Sequence, residues 1–115
     1  MPDVQTVADV DPETASRLAV QGALLLDVRE DDEWEAGHAP EATHLAMGLV
    51  GARLGELPAD RTVVCICRVG GRSGVVAAEL AVVGFDVRNL SGGMVAWERA
   101  GLPVVTGSGG TGRVL

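Results

Sequence analysis

The chain has no lysine and no tyrosine, and its only aromatic residues are Trp34, Phe85 and Trp97. All nine basic residues are arginines, set against sixteen carboxylates for a formal net charge of −7. That balance argues against a general nucleic-acid or anionic-membrane surface, which needs a basic face. With so few aromatics, the core has to be built from Val, Leu and Ala. No apolar run approaches the roughly twenty residues of a transmembrane helix, so no membrane span is expected. The opening residues, MPDVQTVADVDPE, lack the basic and apolar regions of a signal peptide, and a cytoplasmic protein is expected. Cysteine is scarce too: Cys65 and Cys67 stand two apart. Two thiols cannot supply a four-ligand zinc site, and such close neighbours make no disulfide framework. In a reducing compartment both stay free, which leaves chemistry open to at least one of them.

What is present fits one globular domain: 115 residues, 47% hydrophobic and 22% charged. Val4 to Val10 begins as a short strand. Asp11 reads as an N-cap, with Pro12 in the first helical position, for a helix running to about Gln21 and stopped by Gly22. Ala23 to Arg29 is a continuous apolar run ending in charge, the pattern of a buried parallel strand. EDDEWEAG follows as a short acidic helix, ATHLAM as another strand, and GLVGARLGEL as a weak helix interrupted by glycines. RTVVCIC is the next buried strand, and SGVVAAELAVVG a helix apolar around most of its circumference, expected to be heavily buried. FDVRNL is a strand and GGMVAWERAG a helix, ended by Gly101–Leu102–Pro103. Residues 106–115 have linker composition and are expected to be mobile or loosely packed. Strands alternate with helices throughout. That predicts an α/β fold with a central, mostly parallel sheet of about five strands and helices on both faces. Ligands bind such sheets at the carboxyl ends of the strands.

Cys67 ends what should be a central strand, and a helix is expected to begin near Ser73. Gly70 and Gly71 permit positive φ, so successive backbone N–H groups can point at one spot. The helix N-terminus adds partial positive charge there, and Arg68 and Arg72 add full charges. The stretch from Cys67 through Arg68, Val69, Gly70, Gly71 and Arg72 thus reads as an anion-binding cradle with a thiol at its base. Such surroundings favour the thiolate, a strong nucleophile.

LLDVRE with DDEWEAGHAP, then VVCICRVGGRSG, then LSGGMVAWERAGLPV resemble, in order and spacing, the signature segments of the rhodanese (sulfurtransferase) family. The resemblance covers about Val4 to Val105, and residues 1–105 are expected to form a single rhodanese-like domain with a Gly/Ser-rich tail over 106–115. It implies a sulfurtransferase: the cysteine aligned with Cys67 takes a sulfane sulfur from a donor such as thiosulfate, carries it as a persulfide, and yields it to cyanide or a thiol. Arg68 to Arg72 align with the family's substrate cradle. The partners implied are a small anionic sulfur donor and a protein sulfur donor or acceptor. No metal or organic cofactor is implied, and a monomer is expected. The chain departs from the family pattern at Glu41, where glycine is common, and in His44–Leu45–Ala46–Met47, where a proline is common. Val69 stands where a further basic residue would assist thiosulfate binding.

Other readings stand beside this one. Related phosphatases on this fold carry Cys-x5-Arg, usually with histidine before the cysteine. Here the spacing is Cys-x4-Arg after Ile66, which suits a sulfur atom better. A small phosphatase or arsenate reductase is therefore the weaker enzyme reading. A sulfur carrier fed by a protein donor is the alternative of a different class. Cys65 reads as a small core residue rather than a resolving thiol. Arg68 reads as outward-pointing, Asp27 and Arg29 as a buried polar network, His38 as loop-fixing, and Trp34 and Trp97 as core. EDDEWE reads as a solvated helix face, and His44 has no evident partner.

Overall fold

Short apolar runs flanked by helix signals become the strands of one parallel sheet. The computed structural model describes residues 7–115. In chain order the elements are β1 (Ala8–Val10), α1 (Pro12–Val20), β2 (Leu24–Asp27), α2 (Asp31–Ala36), β3 (Thr43–His44), β4 (Val63–Ile66), α3 (Gly71–Val82), β5 (Val87–Leu90) and α4 (Gly93–Arg99). The strand order is β1-β5-β4-β2-β3, and every pairing is parallel. The first part of the expected N-terminal strand, Val4 to Thr6, lies outside the described residues.

β4 occupies the centre of the sheet and is buried along its whole length. Side chains alternate across a strand. Leu26, Val63, Cys65 and Cys67 therefore meet Val76, Ala77 and Leu80 of α3 on one face. Leu25, Val64 and Ile66 meet Ala15 of α1 and Met94 and Trp97 of α4 on the other. Trp97 is core, as expected, and its indole N–H donates to the Pro103 carbonyl at 2.8 Å. The Asp11 carboxylate caps α1 by accepting the Thr14 N–H at 2.7 Å.

Three expectations are corrected. The glycine-interrupted segment is not an α-helix but two 3-10 stretches, Met47–Leu49 and Gly51–Glu56, with Arg53 off helical geometry at φ −121°. Gly48, Gly51 and Gly55 carry a high entropic cost in a long helix, and short 3-10 turns avoid most of it. α3 is less enclosed than its composition suggests, because Val75, Val82 and Val83 face solvent. Among the described residues, the sheet covers α3 through Val76, Ala77 and Leu80, and its outer side stays in solvent. The C-terminal residues fold back on the domain. Gly112 N–H donates to Val104 O, Arg113 N–H to Ala36 O, and Val105 bridges both His38 and Thr111 in antiparallel fashion. A Cβ on Gly37 would run into the Arg113 backbone, so a glycine there lets this segment lie close against the end of α2.

Asp27 and Arg29 are both fully buried. Arg29 Nη2 donates to Asp27 Oδ2 at 2.7 Å and to the Gly37 carbonyl at 2.8 Å, and Nε donates to Oδ1 at 2.9 Å. This is the polar network expected of them, tying the end of β2 to the loop after α2. Removing one partner leaves the other as an uncompensated buried charge. Asp27→Ala should lower unfolding stability by about 3–5 kcal/mol, measured by urea denaturation. A loss below about 1 kcal/mol would mean that the pair behaves as a solvated one.

Candidate active site

Cys67 is the first residue beyond β4, and the chain turns into α3 within three residues, Arg68, Val69 and Gly70. The turn is tighter than expected, because α3 begins at Gly71 rather than near Ser73. Gly70, the N-cap, sits at φ +108°, which a side chain rarely adopts. Gly71 is already helical and shows no positive φ, so only one of the two glycines uses its left-handed freedom.

That single left-handed residue aims the loop at the sulfur. The Gly70 N–H donates to Cys67 Sγ at 3.0 Å, and the Ser73 hydroxyl lies 3.2 Å from it. Burial opposes charge on Cys67, but the Ser73 hydroxyl and the backbone N–H groups of Ser73, Gly70 and Val69 outweigh it. The thiol is held below its ordinary value. The N-terminus of α3, a helix of 12 residues, adds its dipole to the same spot. Cys65 is the reverse case. It is fully enclosed, and burial together with the neighbouring Cys67 charge pushes its thiol up to about 12. Its surroundings are those of an inert core thiol.

The remaining residues of the expected cradle are distributed around this centre. Val69 is 57% exposed at the rim. Arg68 is exposed, as expected, and its Nε donates to the Leu115 carbonyl at 2.6 Å. Arg72 is held by Glu33, its Nη1 and Nη2 donating to the two carboxylate oxygens at 2.7 and 2.8 Å. The guanidinium near Cys67 is thus paired with a full carboxylate charge. Glu33 does not belong to the solvated face expected of EDDEWE: its side chain is only 16% exposed. The Arg72 hydrogen bonds hold its carboxyl down to about 2.

Second-layer contacts hold the loop from behind. The Met94 and Val95 N–H groups, at the start of α4, donate to the Cys67 and Arg68 carbonyls at 2.8 and 3.1 Å. Gly93, at φ +59°, allows that approach, since a Cβ there would strike the Cys67 and Arg68 backbone. Gly92 and Gly93 therefore make a turn into a helix, as expected, and Gly93 also packs against the cradle. His38 fixes a loop, its Nδ1–H donating to the Trp34 carbonyl at 2.7 Å. Trp34, half-buried, stacks on the His38 ring at 3.5 Å and on the His44 ring at 5.0 Å. His44 thus gains the partner the sequence did not show, and its Nε2–H donates to the Arg29 carbonyl at 2.7 Å.

Ser73, Glu33 and Asn89 are the residues around Cys67 that the sequence reading did not single out. Ser73 follows Arg72 directly, and that adjacency was the available signal. Asn89 was a polar interruption in an apolar strand, a weaker one.

Two measurements check these electrostatics. In a titration of thiolate absorbance, wild-type protein should show one thiol ionising below the usual cysteine value of about 8.5. Cys67→Ala should remove that step, leaving nothing to titrate below about pH 10 because Cys65 is buried. A low-pH step surviving in Cys67→Ala would refute the assignment. The Glu33 carboxyl lies lower folded than unfolded. Its ion pair is therefore fully stabilising above the ordinary glutamate value of 4.5 and is lost as pH falls towards about 2. The stability gap between wild type and Glu33→Gln, read by denaturation at a series of pH values, should close over that window.

A family model described as the rhodanese-like domain matches residues 11–100. A sulfurtransferase from Allochromatium vinosum is 43% identical over 106 residues, covering 90% of this chain and 99% of that protein. A thiosulfate sulfurtransferase, GlpE, from Actinobacillus pleuropneumoniae serotype 3 is 35% identical over 104 residues, covering 89% of this chain and 96% of its own. Among solved structures, a rhodanese-related protein from Thermoplasma volcanium shares the fold with a TM-score of 0.80 at 23% identity, over 85% of this chain and 97% of that one. The parallel sheet, the cysteine at the end of its central strand and these similarities lead to one conclusion: the chain belongs to the rhodanese-like domain family.

Proposed function

We propose that this protein is a sulfurtransferase that moves a sulfane sulfur from a donor such as thiosulfate to a thiophilic acceptor, cyanide or a thiol, through a persulfide on Cys67. The observation that carries this reading is the Cys67 sulfur seated under the Gly70 N–H and the Ser73 hydroxyl at the N-terminus of α3. The names of the similar proteins from A. vinosum and A. pleuropneumoniae support the same chemistry.

In the first half-reaction the Cys67 thiolate attacks the outer sulfur of thiosulfate. A Cys67 S–S bond forms, the bond between the two thiosulfate sulfurs breaks, and its electron pair leaves with sulfite. The negative charge then rests on the terminal sulfur of the persulfide. The loop N–H groups of Val69 and Gly70 and the helix dipole are placed to stabilise charge there. In the second half-reaction cyanide attacks that terminal sulfur, thiocyanate departs, and the thiolate returns. No general base is needed once the thiolate exists, which leaves His38 to its structural contacts. Arg68, Val69, Gly70, Gly71 and Arg72 form the substrate cradle in this account. Arg68 contributes charge at the mouth, Gly70 donates its N–H, and Arg72 sets the loop through Glu33.

The loop itself weighs against a phosphatase: four residues separate Cys67 from Arg72, and Ile66 rather than histidine precedes the cysteine. The two free thiols suit a reducing cytoplasm, and none of the helices in the described residues is long and apolar enough to cross a membrane. We take the working form to be a monomer without cofactor, meeting a small anionic donor or a protein sulfur donor or acceptor.

Intact mass spectrometry tests the cycle. After incubation with thiosulfate, reduced wild-type protein should gain the mass of one sulfur and lose it on addition of cyanide, and Cys67→Ala should gain nothing. No gain in folded, reduced wild type would reject thiosulfate as donor and favour a carrier loaded by a protein.

A further inference from the structure

Asn89 is an unusual residue for its place. It lies in β5, beside β4 in the sheet and in register with Cys65, and it is only 8% exposed. Both ends of its side chain are engaged, and both contacts lead to the Cys67 sulfur. The Gly70 carbonyl can only accept, so the amide nitrogen faces it, at 3.0 Å. The amide oxygen is therefore turned to the Ser73 hydroxyl, at 2.6 Å. Gly70 and Ser73 are the two residues whose N–H and O–H lie within 3.0 and 3.2 Å of Cys67 Sγ.

The Ser73 hydroxyl has one hydrogen and two near acceptors, the sulfur at 3.2 Å and the Asn89 oxygen at 2.6 Å, with the Gly70 carbonyl, already taken by the Asn89 amide, more distant at 3.4 Å. On the reading that Cys67 carries the transferred sulfur, the balance between them changes through the cycle. The thiolate Sγ bears a full charge and is the better acceptor. In the persulfide the charge has moved to the outer sulfur, and Sγ becomes a neutral bridging atom and a poor acceptor. A fully buried hydroxyl with nowhere to donate would then be costly. Ser73 is fully buried.

We propose that Asn89 is a positioning residue for Cys67: its amide oxygen takes the Ser73 hydrogen in the persulfide state and releases it to the thiolate, while its amide nitrogen holds the Gly70 carbonyl so that the Gly70 N–H stays aimed at the sulfur. The hydroxyl turns about its C–O bond between two fixed acceptors, and no bond to sulfur forms or breaks in the exchange. The other titratable groups near Cys67 are Arg72, Glu33 paired with it, and the buried Cys65. None of them hydrogen-bonds to the Asn89 amide, whose partners are Ser73 and Gly70.

A double-mutant cycle on the thiol titration tests this, using wild type, Ser73→Ala, Asn89→Asp and the double variant, each shown to be folded by thermal melting. Ser73→Ala should raise the Cys67 titration midpoint by about one unit, through loss of a donor to the charged form. Asn89→Asp should raise it by a similar amount, because a carboxylate retains the Ser73 hydrogen and cannot donate to Gly70. In the double variant the rise should fall short of the sum by at least about half a unit, the sign of coupling through the hydroxyl. Strict additivity would overturn the proposal, since a residue acting through bulk charge or stability alone does not depend on Ser73. If Asn89→Asp does not fold, Asn89→Ala replaces it: with no amide oxygen to compete for the hydroxyl, the shift caused by Ser73→Ala should be larger in that background than in wild type, and strict additivity again overturns the proposal. The titration needs no sulfur donor. Coupling without a sulfur gain from thiosulfate would leave the Asn89 role at the thiolate intact and reject thiosulfate as donor, and a sulfur gain with additivity would keep thiosulfate and reject the Asn89 role.

Discussion

A chain reversal of three residues at the end of the central strand is the constraint on which the rest of this structure depends. Between Cys67 and Gly71 the backbone must leave a fully buried strand and enter a helix on one face of the sheet. It can do so only with Gly70 in the left-handed region. In that conformation the Gly70 N–H turns inward to the sulfur rather than outward to water. Nearly every unusual feature of the sequence then serves to hold this turn. The second glycine pair lets α4 press its first amides onto the Cys67 and Arg68 carbonyls. Asn89 grips the Gly70 carbonyl from the neighbouring strand. Glu33 clamps Arg72 from across the site.

The electrostatics follow a division of labour between dipoles and charges. The groups that reach the sulfur are neutral, namely backbone N–H groups and a hydroxyl. They are fixed in place, and they act in a largely desolvated site where a dipole is worth more than in water. The formal charges stand further out. Arg72 is paired with Glu33, Asp27 and Arg29 are paired with each other at the end of β2, and Arg68 sits at an exposed rim where salt screens it. A protein with net charge −7 can hold an anionic sulfur in this way without a basic surface. Two thiols on one face of one strand end with opposite character for the same reason. Cys67 lies where the strand stops and donors converge, and Cys65 lies within the strand, fully buried in the apolar cluster beneath α3 and without a donor to its sulfur among the described residues.

Much of this was legible in the sequence. The α1 cap could be read residue by residue, because Asp11, Pro12 and Gly22 act within a turn of their own position. The central strand was legible from an unbroken apolar run, and the cradle from glycine between arginines. The misreadings have physical causes. The largely apolar circumference of α3 suggested heavy burial, but only the side facing the sheet is covered, and Val75 and Val82 are exposed. The composition of residues 106–115 suggested a loose tail, but Gly112 and Arg113 find backbone partners at Val104 and Ala36 that no local pattern announces. Glu33 looked like one more solvated carboxylate in EDDEWE until the fold set Arg72 against it.

By itself, then, the sequence determined the alternation of strands and helices, the parallel sheet that follows from it, and a thiol at a strand end ahead of a glycine turn. These depend on hydrogen bonds and sterics within a few residues of one another. Which groups surround that thiol was decided only by the tertiary structure. Asn89, Met94 and Glu33 come from three other elements, and they meet the loop because the parallel register of β4 with β2 and β5 carries their ends to the same edge of the sheet. Contacts of that kind are set by how whole elements pack, and no local propensity encodes them.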